Sequence, residues 1–181
     1  MNIWHDIRPG RVTPTDFTAV VEIPKGSKQK YELDKETGLL RLDRILFTAT
    51  HYPMNYGFIP RTYAEDDDPL DVLLLSSESI ESLALVRSYP IGVISMEDEG
   101  SLDEKIIAIP FGDPTYITYT DISQLPVHLF DELKHFFTVY KELEGKVTKV
   151  YSIGGREVAI DIVKRCMRRY EEIYGEKGKK K

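Results

Sequence analysis

Hydrophobic positions along this chain follow two periods. Residues 18–23 are rich in β-formers and end at Pro24-Lys25-Gly26, which predicts a strand closed by a turn. Residues 30–33 and 39–44 predict a hairpin joined by Asp34-Lys35-Glu36-Thr37-Gly38. Residues 72–75, 91–96 and 106–109 are short, largely apolar segments of strand length. Frequent turns between short strands predict a small barrel or sandwich. In the last third the period changes. Leu129, Leu133, Phe136, Phe137 and Tyr140 recur at three- and four-residue steps, with Pro126 in the first turn. Ala159, Ile162, Val163, Cys166, Met167, Tyr170 and Tyr174 repeat that spacing. The pattern predicts an α+β chain with two main helices near the C-terminus, packed on the strands.

With 181 residues and 41% hydrophobic content, one domain spanning 1–181 is expected, with residues 176–181 as a frayed basic tail. The 24 basic and 30 acidic residues give a net charge of -6, which disfavours nucleic acid and anionic membrane as partners. Cys166 is the single cysteine and stands among apolar helical positions, so it reads as a small buried hydrophobe in a reducing compartment. Neither a signal peptide nor a membrane-length apolar run is evident, and a cytoplasmic protein is expected.

Charge patterning adds candidate chemistry. Asp66-Asp67-Asp68-Pro69-Leu70-Asp71-Val72 carries four carboxylates within six positions, preceded by Glu65. Each raises the proton affinity of its neighbours, so the cluster calls for cations. Oxygen ligands at this density suit a hard divalent ion, Mg2+ or Mn2+ before Zn2+. If the segment is extended, Asp66 and Asp68 point together and Pro69 turns the chain to bring Asp71 round. A second cluster, Glu97-Asp98-Glu99-Gly100 with Asp103 and Glu104, falls in the loop between two predicted strands. Alone it reads as a solvated loop; beside the first run it completes a site. An EF-hand fails, because Asp71 occupies the glycine position and Ser77 the bidentate glutamate position. The P-loop, H-E-x-x-H and G-x-G-x-x-G motifs are absent, and His5, His51, His128 and His135 lack ligand spacing.

These segments together resemble the soluble inorganic pyrophosphatases of family I. The acidic run matches the family signature, and the agreement continues in order over roughly residues 5–150. It includes Glu22-Ile23-Pro24, Lys30-Tyr31-Glu32, Asp43-Arg44, Tyr52-Pro53, Asn55-Tyr56-Gly57, Asp98-Glu99, Asp103 with Lys105, and His135-Phe136-Phe137 with Tyr140-Lys141. The resemblance implies an OB-like five-stranded barrel flanked by helices, a homohexamer, and Mg2+-dependent hydrolysis of diphosphate to two orthophosphates. It implies metal binding by Asp66, Asp71, Asp98 and Asp103, with Glu22 and Glu32 acting mainly through water. It implies phosphate contacts from Lys30, Arg44, Tyr56, Lys105, Tyr140 and Lys141, and Asp68 as the base that deprotonates the attacking water. Those seven acids and four bases sum to -3. Diphosphate brings about -3 to -4 more, so roughly three or four Mg2+ would balance the site. Two departures from the family pattern stand out. Asp67 replaces a frequent glycine, and Tyr151-Ser152-Ile153-Gly154-Gly155 stands where Glu-Gly-Trp is usual. The rivals are a D-x-D glycosyltransferase, which needs a βαβ nucleotide domain, and an OB-type nucleic-acid binder, which needs a basic aromatic groove. Neither feature is present in the pattern.

Overall fold

The computed structural model describes residues 2–175; the expected frayed tail lies outside them. The strands are β1 (Val12–Thr13), β2 (Asp16–Ile23), β3 (Gln29–Leu33), β4 (Leu40–Ile45), β5 (Asn55–Phe58), β6 (Asp71–Leu74), β7 (Leu85–Asp98), β8 (Ser101–Pro110) and β9 (Thr148–Gly155). The helices are α1 (Val127–Val139), between β8 and β9, and α2 (Arg156–Tyr174). One seven-stranded sheet runs β1-β2-β5-β6-β8-β7-β9, and a further β2–β7 pairing closes five of its strands into a ring. Among the described residues only β6 and β8 pair in parallel. The β3–β4 hairpin forms a separate two-stranded sheet.

Three differences from the sequence reading have physical causes. The ring has the expected five strands, but β1 and β9 add to it. Asn55-Tyr56-Gly57-Phe58 is a central strand whose alternation is hidden by Asn and Gly. There a Cβ on Gly57 would lie 1.8 Å from Val20 O, so β2 and β5 meet only around a hydrogen side chain. Finally, β7 and β8 run far beyond their apolar centres into the second acidic cluster. They are joined by Glu99-Gly100, both at positive φ (49° and 87°), a two-residue turn whose twist suits a hairpin.

The apolar run on β6 follows from burial on both faces. Val72 and Leu74 pack with Ile106, Ala108 and α2 residues Ala159, Ile162, Val163 and Cys166. Leu73 and Leu75 pack with Ile107, Ile109 and α1 residues Leu133, Phe136 and Phe137. Each buried Val, Leu, Ile or Phe among them contributes about 1.5–3 kcal/mol. Pro126 stands one position ahead of α1, and Tyr140 caps its C-terminal end. Cys166 is buried, as expected, and burial pushes its thiol up to about 11. The Tyr151–Gly155 segment continues β9 along β7 after a register shift that leaves Tyr151 without a paired residue, and Gly155 becomes the N-cap of α2.

Candidate active site

Strand register assembles one face of the site. Asp71 is paired with Lys105 across the parallel β6–β8 ladder. Asp103, two residues before Lys105, shares its face and pairs with Met96; Asp98, two residues after Met96, shares it too. Lys105 Nζ therefore reaches Asp71 Oδ2 at 2.7 Å, both Asp103 oxygens at 3.0 Å and the Tyr56 hydroxyl at 3.0 Å. Burial works against the Lys105 ammonium, but Asp103 and Asp71 outweigh it and hold the proton well above the usual lysine range. Asp103 is pushed upward by burial, with Lys105 pulling the other way.

The acidic run is a turn, which corrects the extended reading. Ala64 N donates to Asp68 O at 2.8 Å, and Asp67 takes φ 67°. Asp tolerates this left-handed conformation, so the departure from glycine leaves the loop intact. Within the turn Asp68 N donates to Asp66 Oδ1 at 3.2 Å. Asp66 is solvent-exposed on the cavity wall, where desolvation, then the charges of Asp71 and Asp103, push its carboxyl up to about 6. Asp68 is half exposed and paired with Lys35 Nζ.

Lys30 and Glu32 do share a face of β3, where their side chains are hydrogen bonded to each other. Burial pushes Glu32 up, but hydrogen bonds from Lys30 and then Arg41 bring it below the ordinary range. Glu22 is enclosed at the end of β2, accepting a bond from Leu33 N at 2.7 Å. Burial, reinforced by the Asp71 charge, raises its carboxyl to about 8. Lys141 follows α1 and holds Asp98 Oδ2, while Asp98 Oδ1 is buried with no partner. Tyr56 and Tyr140 are buried, which raises both phenols well above their usual range.

All of these side chains line one cavity of about 460 Å³. Arg44 is the member of the expected set that does not. It turns toward Asp43 (2.5 Å) and Glu144 (2.8 Å), and its buried Nη2 has no partner. The sequence reading missed Lys35 and Arg41, which line the cavity from the β3–β4 hairpin. Their place could be found only once the hairpin was known to fold over the acidic turn.

Among the described residues, no three His, Cys, Asp or Glu side chains close on a common point as a ready-made ligand set. The donors nevertheless suit a hard divalent cation. They are carboxylates on one wall, with an unpartnered buried oxygen on Asp98 and an Asp66 carboxyl whose raised proton affinity a cation would offset.

The inorganic pyrophosphatase family model matches residues 19–171. The chain belongs to the inorganic pyrophosphatase family. Soluble inorganic pyrophosphatase 2 of Chlamydomonas reinhardtii is 49% identical over 94% of this chain and 89% of its own length. An inorganic pyrophosphatase of Aquifex pyrophilus is 46% identical over 93% of this chain and 97% of its own. The crystal structure of the Thermus thermophilus inorganic pyrophosphatase superposes with a TM-score of 0.90 at 38% identity, covering 94% and 99% of the two chains. As a pyrophosphatase, the chain is a hydrolase of diphosphate. No helix among the described residues is long and apolar enough to cross a membrane.

Proposed function

We propose that this pyrophosphatase uses Mg2+ to hydrolyse inorganic diphosphate to two orthophosphates, with Asp68 as general base. One observation carries the reading: Asp66, Asp71, Asp98 and Asp103 line one cavity together with Lys30, Lys105 and Lys141. An anionic substrate fits so acidic a wall only when cations come with it. Asp66, Asp71, Asp98 and Asp103 would hold the metals, with Glu22 and Glu32 acting through water. Bound Mg2+, roughly three to four per site, supplies charge neutralisation and acidifies the attacking water. Mn2+ meets the same oxygen chemistry.

The residues then divide the work. Asp68 takes the proton as the water oxygen bonds to one phosphorus and the bridging P–O bond breaks. Lys30, Lys105, Tyr56, Tyr140 and Lys141 bind phosphate oxygens and stabilise charge spread over the transition state. Arg44 joins them by exchanging Asp43 and Glu144 for phosphate. The family likeness further supports an OB-like reading of the five-strand ring, a homohexamer and a cytoplasmic location. The test is phosphate release from diphosphate with Mg2+ for the parent chain and Asp68→Asn. The variant is expected to bind Mg2+ and fold as the parent does but to lose about 100-fold or more in kcat. A variant turning over near the parent rate removes Asp68 from the role of base.

A further inference from the structure

The carboxylates that would share a metal are anchored unequally. Asp71 and Asp103 sit in paired strands, where the β6–β8 and β7–β8 ladders fix them. Asp66 lies in the turn ahead of β6, outside any ladder. The bonds within that turn shape it without attaching it to the rest of the fold.

Helix α2 supplies an attachment. Tyr63 N donates to Cys166 O at 3.0 Å. Arg169 Nη1 lies 2.5 Å from Glu65 Oε1, beside Asp66, and its guanidinium stands 5.5 Å from the Tyr63 ring centroid. One helical turn earlier, Arg165 Nη2 is bonded to Glu104, the residue between Asp103 and Lys105. Arginines four apart share a helix face, so one rigid element grips both carboxylate-bearing segments. Between the segments is a void of about 10 Å³ bordered by Asp66, Asp71, Asp103 and Glu104, leaving little slack.

We propose that Arg165 and Arg169 are positioning residues: a brace on α2 that sets the distance of Asp66 from Asp103, and with it the affinity of the site for Mg2+. The inference rests on the metal-dependent reading above. Partly exposed ion pairs do little for overall stability. Their geometric effect here is larger, because Mg2+ demands near-octahedral oxygens at about 2.0–2.1 Å and tolerates little drift.

The test uses the full chain. Mg2+ binding without diphosphate is measured by titration calorimetry, and Mg2+ activation of phosphate release in parallel. For Arg165→Met with Arg169→Met, the Mg2+ dissociation constant is expected to rise about tenfold, with kcat at saturating Mg2+ within about twofold of parent. Glu65→Gln, which leaves the helix untouched, is expected to weaken Mg2+ in the same direction. The reversed pair Glu65→Arg with Arg169→Glu is expected to restore part of the loss. If the double arginine variant does not fold, Glu65→Gln and the reversed pair decide the matter. Variants that bind Mg2+ within about twofold of the parent, even with a lowered melting temperature, overturn the brace alone. A parent chain that binds no Mg2+ overturns the reading of the site, and the brace with it.

Discussion

Glu22 provides the sharpest physical test of the site. It is 7% exposed, and its carboxyl holds a proton up to about pH 8 in the fold against an ordinary value of 4.5. The folded chain therefore retains a proton that the unfolded chain has released. Stability falls as pH rises above 4.5, and the loss is complete only above about 8. At about 1.4 kcal/mol per pH unit, the step from about pH 5 to about pH 7 costs about 3 kcal/mol. That is a large share of the roughly 5–15 kcal/mol that holds a domain together. In Glu22→Gln the amide oxygen can still accept from Leu33 N, but the group no longer titrates. Metal-free variant and parent are compared by urea denaturation at fixed protein concentration, reading the single tryptophan, buried Trp4. The variant is expected to gain about 3 kcal/mol on the parent across that pH step. Asp66 and Asp103 titrate in both proteins, so their contributions largely cancel. A difference that stays flat within about 0.5 kcal/mol would refute the idea that Glu22 is buried as a neutral acid.

Two further outcomes follow from the same geometry. Lys105→Met removes the cation that bridges Asp71 and Asp103. It is expected to destabilise the metal-free chain by about 3–5 kcal/mol, with most of the loss recovered at saturating Mg2+; equal losses in both conditions would count against metal binding by those acids. Gly57→Ala places a methyl group against Val20 O and is expected to cost about 3 kcal/mol. Gly100→Ala, at φ 87° but with open space around it, should cost only about 1–2 kcal/mol in the same thermal melts; the reverse order would refute the close approach of β2 and β5.

Local rules carried far in this chain. Period-two and helical spacing located the hairpin, the apolar centres of β6, β7 and β8, and both helices, because each buries a face whose repeat is written in the residues. Composition weighed against a basic binding groove, and the density of carboxylates called for hard cations. Every expected site residue except Arg44 lies on the wall of one cavity. What failed locally was whatever depends on a distant neighbour. Asp66 and Asp68 share a parity in sequence, but the left-handed Asp67 puts them in a turn rather than on one face of a strand, although both still line the cavity. Asn55–Phe58 does not read as a strand, since Gly57 is there for the backbone of β2 rather than for any repeat of its own.

The class of elements, the sign of the charge and the family were all legible along the chain, since these rest on spacing and side-chain identity. Tertiary structure alone decided which proton each carboxylate keeps, because that depends on burial and on charges brought from remote strands. It set Lys105 between Asp71 and Asp103, turned Arg44 toward Glu144, folded Lys35 over Asp68, and ran α2 behind both acidic segments. Through-space distance fixes those energies, and no spacing along the chain records it.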